Sequence, residues 1–302
     1  MHPDEPNARI LARLAHGKAG IVTAAAASDA GVGRGAVRHR LATGALHRLH
    51  WGVHAVGHAD LCDEAHLHAA LEAVGDGCAI SHWSAARYRR LLHGIALSPV
   101  HVTLPRGRAK TRREGIEPHR PLDFDPLDVA GWGELPVTTV PRIVVELAPA
   151  LSDKELALVV HRGRVEHGTA LRDLRRTMQR APRARGLVRV ERVAFGRGVA
   201  PNRRERRFLL LVRRAGLPEP ELNVLVRTPD GWFLVDCLWR EQGLIYEIDD
   251  LRSHGTAKAF VEDRRRDAAL QDAGLRVRRV TDDDLGPGAQ RMLARLARQL
   301  RA

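Results

Sequence analysis

Aromatic residues make up only 4% of this 302-residue chain, so its cores must be built from Leu, Val and Ala. Cysteine is almost absent. Cys62, Cys78 and Cys237 show no CxxC spacing, which excludes a disulfide framework and a structural zinc site of the usual spacing. No run of about 18 apolar residues exists, so no membrane span is expected. The start is polar and lacks the apolar core of a signal peptide. These absences lead us to expect a soluble protein of the reducing cytoplasm.

What is abundant is positive charge. Lys plus Arg is 49 against 36 Asp plus Glu, a formal net charge of +13. Such a surplus attracts polyanions through a long-range field, and nucleic acid, here DNA, leads as partner. An anionic membrane is the rival, but no strongly apolar face accompanies the basic runs. Enrichment in Ala, Arg and Gly also fits a GC-rich coding bias, which accounts for part of the arginine without function.

The pattern predicts an α/β multidomain chain. Residues 7–57 read as helix, helix, turn, helix and hairpin: Thr23 caps the second helix and Gly31-Val32-Gly33 turns. The third helix runs from Arg34 to about Thr43, and the alternation from Leu46 to Ala55 makes a β-wing. This is the order of a winged helix-turn-helix. Val37 and Leu41 would face the core, leaving Arg34, Arg38, His39 and Arg40 on the third helix, with Arg48 on the wing, free to meet phosphates or a groove. The competing reading is a small helical domain with a solvated basic face.

Residues 60–168 read as a second α/β region. It contains Ser81-His82-Trp83-Ser84, the short strand His101-Val102-Thr103-Leu104, and Pro136-Val137-Thr138 leading into a helix from Arg142. No nucleophile or ligand set accompanies His82 or His101, which read as structural. Residues 170–201 form an arginine-rich, partly helical linker. From 202 to 302 the predicted order is αβββαβα.

In that last segment Asp236 lies mid-strand among apolar residues, and Glu247 and Asp249 end the next strand. Residues i and i+2 share a face, so the latter two converge, and Asp236 joins them across the hairpin. Three clustered carboxylates repel unless a cation or protons neutralise them. Mg²⁺, a hard ion that takes oxygen ligands and activates water, suits such a set. Glu205 on the preceding helix is a fourth acid within reach. His254 is a candidate base or water positioner, and Arg264 or Arg266 could hold the carboxylates or a phosphate. The alternative is that these acids pair with surface arginines.

At these residues the segment from about Asn202 to Leu300 resembles the PD-(D/E)XK nuclease superfamily. It is most like the domain of unknown function related to very-short-patch-repair (Vsr) endonucleases. Glu205, Gly216-Leu217-Pro218, Val235-Asp236, Glu247-Ile248-Asp249, His254, Phe260, Asp263-Arg264-Arg265-Arg266-Asp267 and Gly274-Leu275-Arg276-Val277 carry the likeness. The resemblance implies Asp236 and Glu247 as ligands of Mg²⁺, His254 as a water-activating group, and a metal-dependent endonuclease. The superfamily's E-x-K lysine is replaced here by Asp249, and Asp250 stands where the subgroup has Gly.

The first 165 residues resemble the AbiEi family of type IV toxin–antitoxin antitoxins. The motifs are the helix-turn-helix and wing, Ser81-His82-Trp83-Ser84-Ala85-Ala86, His101-Val102-Thr103-Leu104-Pro105-Arg106, and Pro136-Val137-Thr138 before Arg142 and Glu146. That resemblance implies promoter-DNA binding, repression of its own operon and a cognate toxin. Two functions thus stand: a DNA-tethered endonuclease, and a non-catalytic regulator or antitoxin. An arginine-rich structural protein is the residual.

Overall fold

The computed structural model describes residues 5–107, 113–196, 201–248 and 257–301. The chain forms a mixed α/β protein with three sheets among these residues, divided into two compact units. The first comprises Met1–Pro149 and His167–Leu187, the second Ala150–Glu166 and Val188–Ala302. Both units are therefore discontinuous in sequence.

The first unit opens with α1 (Glu5–Ala15), β1 (Ile21–Thr23), α2 (Ala24–Asp29), α3 (Arg34–Thr43), β2 (Leu46–His50) and β3 (Val53–Val56). The strands form a sheet of order β1-β3-β2, antiparallel throughout. Thr23 caps α2 as expected: its hydroxyl accepts from Ala26 N at 3.1 Å. Gly44, at φ 75°, ends α3 in the left-handed conformation that glycine adopts without steric cost. Leu11, Val22, Ala27, Val32 and Leu46 form the core beneath them, an aliphatic set that matches the shortage of aromatics.

The rest of this unit is built by α4 (Asp63–Val74), β4 (Ala79–Ile80), α5 (His82–Tyr88), β5 (Val100–Thr103), β6 (Ile116–His119), β7 (Val129–Trp132), β8 (Leu135–Thr138) and α6 (Val140–Leu147). Their sheet has the order β6-β5-β4-β8-β7. The chain then makes α7 (Asp153–Glu166) in the second unit before α8 (Leu171–Arg180) returns to the first and packs on α6.

A buried ion network stands behind α6. Glu146 accepts from Arg142 Nε at 3.0 Å, Arg142 Nη1 meets Asp128 at 3.3 Å, and Arg180 of α8 reaches Asp128 at 2.5 Å. Asp128 is fully buried, so its two arginines offset a charge otherwise costly to desolvate. The linker expected over 170–201 thus differs in the structure. Its first part is a packed helix, because Leu174 and Thr177 are buried and Arg180 is held at Asp128.

In the second unit a short helix, α9 (Leu187–Val190), runs into a π-helical turn over Glu191–Phe195. Then follow α10 (Arg203–Arg214), β9 (Glu221–Thr228), β10 (Gly231–Trp239), β11 (Leu244–Ile248), α11 (Ala257–Asp272), β12 (Arg276–Val280) and α12 (Ala289–Arg301). This is the order αβββαβα read from the sequence. The sheet runs β12-β11-β10-β9, with β11 and β12 parallel and the other pairs antiparallel.

Phe208 and Val212 of α10 pack with Trp239, Tyr246, Met292 and Leu296 in one core cluster. Leu270 of α11 packs with Val235, Leu238 and Ile245 in another. At β10, α7 adds a third contact. Arg162 Nη2 donates to Trp232 O at 2.7 Å, and the His161 ring meets the Trp232 ring edge-on at 4.4 Å. Reading α7 as part of the 60–168 region followed chain order. In space it belongs to the second unit.

Candidate functional site

Pairing between β10 and β11 stops at Cys237 and Tyr246. One step further along that register Asp236 stands opposite Glu247. Here the Asp236 side chain binds the backbone of the neighbouring strand: its Oδ2 accepts from Ile248 N at 2.7 Å. Both acids are buried, at 5% exposure each, inside strands whose other residues are apolar. They are close enough for a hydrogen bond between their carboxyls to raise the pKa of Glu247.

Each carboxylate faces a cation. Arg266, on α11, donates from Nη2 to Glu247 Oε1 at 2.5 Å and to Leu234 O at 2.7 Å. Lys154, on α7, places its Nζ 2.5 Å from Asp236 Oδ1 and 2.6 Å from Glu205 Oε1. Glu205 is fully buried and fixed twice over. As the third residue of α10 it closes a capping box with Asn202, and through Lys154 it joins the acid pair.

Burial is the largest influence on Glu247 and, with Asp236 beside it, pushes the carboxyl up to about 8 against the opposing pull of Arg266. Burial works against the Lys154 charge, but Asp236 and Glu205 outweigh it and raise its pKa. Cys237, next to the acids, is pushed up by burial and by Asp236, so it is an inert thiol.

Three of the acids read from the sequence are therefore together: Asp236, Glu247 and Glu205. Of the two arginines considered, Arg266 holds Glu247, while Arg264 is exposed on α11. Asp249, Asp250 and His254 lie outside the described residues. Lys154 escaped the sequence reading because it lies some 50 residues before the acidic segment. A signal was present nonetheless: Lys154 is one of only four lysines among 49 basic residues.

Among the described residues, no group of three or more His, Cys, Asp or Glu side chains is set to hold a metal ion. The donor chemistry present is the pair Asp236 and Glu247. Mg²⁺ is commonly held by one or two carboxylates with water completing its shell. Two buried carboxyls on adjacent strands, opposite each other and within hydrogen-bond reach, are oxygen donors of that kind. The pair fits a hard divalent ion.

The second candidate surface is basic. Arg34, Arg38 and His39 of α3 and Arg48 of β2 are exposed. Arg40 departs from the expectation that it, too, is free to meet phosphates or a groove. It is buried at 5% exposure, with Nη1 turned back to Ala36 O at 3.4 Å, because its position on α3 falls on the inner side. At the turn between β2 and β3, Trp51 is 83% exposed, with the Arg48 guanidinium 5.9 Å from its ring. His82 and His101, read as structural, are grouped with His119. His82 stacks on His119 at 3.5 Å, and His101 Nδ1 lies 2.8 Å from His119 Nε2. Ring planes stacked in parallel at that spacing cannot both aim in-plane at one ion.

No family model matches the chain. Two relatives from Mycobacterium tuberculosis are similar to it: Uncharacterized protein MT2308 of strain CDC 1551 / Oshkosh and Uncharacterized protein Rv2248 of strain ATCC 25618 / H37Rv. Each is 30% identical over 118 residues, covering 38% of this chain and 44% of the relative. The chain thus spans less than half the length of the curated relatives it matches. Among the described residues no helix is long and apolar enough to cross a membrane.

Proposed function

We propose that the chain is a DNA-binding protein whose second unit is a Mg²⁺-dependent endonuclease of the PD-(D/E)XK, Vsr-like kind. Its first residues would act as a winged helix-turn-helix. The observation that carries this reading is the buried Asp236–Glu247 pair, drawn from adjacent strands and joined to Glu205. Burying acids together costs several kcal/mol, which a fold without use for them avoids. Supporting it are the αβββαβα order, the exposed Arg34, Arg38, His39 and Arg48, and the net charge of +13.

When bound, Mg²⁺ would supply Lewis-acid stabilisation and an activated water for phosphodiester hydrolysis. Asp236 and Glu247 would hold it. The Ile248 amide keeps Asp236 oriented, and Arg266 keeps Glu247 aimed from α11. The basic face of the first unit would raise the local concentration of DNA at the site. The test is a panel of single-stranded, duplex and mismatched DNA incubated with Mg²⁺. Cleavage that disappears in Asp236→Asn, with the protein still folded and melting cooperatively, is the expected result. Absence of cleavage across the panel would refute the enzyme.

One observation favours a second reading, a non-catalytic transcriptional regulator or antitoxin of a type IV toxin–antitoxin system. Lys154 and Arg266 already neutralise the carboxylates from within the chain. A footprint on its own promoter that is unchanged by Asp236→Asn, without Mg²⁺-dependent cleavage, would select that reading. A cognate toxin would then be the partner regulated through the same operon.

A further inference from the structure

We propose that Lys154 is a built-in counter-cation of the carboxylate site, which a divalent ion must displace from Asp236 in order to bind. The inference rests on the metal-site reading above. Asp236 has two oxygens. Oδ2 is committed to the Ile248 amide at 2.7 Å, and Oδ1, the oxygen left for a cation, lies 2.5 Å from Lys154 Nζ. A second cation on that oxygen would sit against the ammonium, and two positive charges at such range repel strongly in a desolvated site.

The lysine is not a stray surface group. Asp153, its neighbour, is held by Arg189 at 3.1 Å and Arg192 at 2.6 Å, and further along α7 Arg162 is bonded to Trp232 O in β10. The helix thus delivers Lys154 to Glu205 and Asp236 from a fixed base. The residue type also fits. A compact ammonium on a flexible four-carbon stem can retract, whereas an arginine fork would hold a carboxylate by two parallel bonds. With 30% of its side chain exposed, Lys154 has solvent to retract into.

The test uses the full chain and Mn²⁺ as probe, with the free ion followed by electron paramagnetic resonance. Lys154→Gln is expected to bind Mn²⁺ roughly tenfold or more tightly than the wild type, the effect of removing one close repulsive charge. A second measurement needs no variant. Acylation of wild-type Lys154 by an amine-reactive reagent, read by peptide mass spectrometry against Lys18, should rise when Mn²⁺ saturates the site.

Equal or weaker Mn²⁺ binding by Lys154→Gln, with wild-type binding abolished by Asp236→Asn, would overturn the proposal and leave the metal site standing. Unchanged Lys154 acylation at saturating Mn²⁺ would overturn it in the same way. If neither wild type nor Lys154→Gln binds Mn²⁺, the metal site itself falls, and the proposal with it. Binding by Lys154→Gln alone would mean that the counter-cation closes the site completely.

Discussion

Glu247 is the residue on which pH should act most visibly. Its carboxyl sits at about 8 in the fold against 4.5 when free. The folded chain therefore holds a proton that the unfolded chain has released between those values. The stabilisation is fully present below 4.5 and is lost as pH rises through about 8. The depressed histidines act in the opposite sense below about 6.5, so Glu247's share shows in a difference. The melting temperature of metal-free wild type should fall relative to that of Glu247→Gln, which stays neutral, as pH rises from 4.5 to 8. Parallel thermal melts of the two proteins check this. A second residue-scale effect concerns Asp236. Replacement by Ala strips partners from the Ile248 amide and from Lys154 together, and breaking a buried pair costs about 3–5 kcal/mol. Asp236→Asn keeps the shape and the amide contact, so chemical denaturation should show a clearly smaller loss.

Among the elements, α10 and the turn into α5 carry the sharpest local chemistry. Asn202 accepts from Arg204 N at 2.8 Å and Glu205 N at 3.0 Å, and it also orients a site acid. Asn202→Ala should cost about 1 kcal/mol of stability, as lost N-caps do. It should also weaken Mn²⁺ binding, because Glu205 loses its tether; titration of the metal separates the two effects.

In the first unit His82 begins α5 at φ 50°, stacked on His119, and burial first, then His101 and Arg142, push its pKa down to about 3. The unfolded chain binds that proton near 6.5, so His82 contributes stability above 6.5 that is lost as pH falls towards 3. His82→Asn tolerates the positive φ and carries no titratable ring. Its acid-induced unfolding should be shallower over that range, as followed by circular dichroism.

For the whole molecule, the division into units sets which fragment can stand alone. A piece covering 202–302 holds the complete αβββαβα segment but lacks α7, and with it Lys154, the Arg162 bond to Trp232 and the His161 ring. It should be markedly less stable than 150–302, which holds both parts of the second unit; comparing their denaturation midpoints decides this. The +13 charge makes a prediction at the same scale. DNA affinity should fall steeply with salt, and Arg34→Ala or Arg38→Ala should each reduce the log–log slope by about 0.9 if that side chain neutralises a phosphate.

The sequence by itself determined the periodic elements and four of the partners at the site, Asp236, Glu247, Glu205 and Arg266. The order αβββαβα, the Thr23 cap and α3 follow from local spacing and capping chemistry, which act over a few residues and are written in adjacent letters. Asp236 and Glu247 stood out because acids inside apolar strands contradict their surroundings. Arg40 did not, since the face it occupies depends on what α3 packs against. Tertiary structure alone decided that α7 crosses into the second unit, that α8 is packed and not a linker, and that Lys154 closes on the acids 82 residues away. The reason is physical. An ion pair across such a separation is selected by burial and by the desolvation of both charges, and neither quantity exists until the chain has folded.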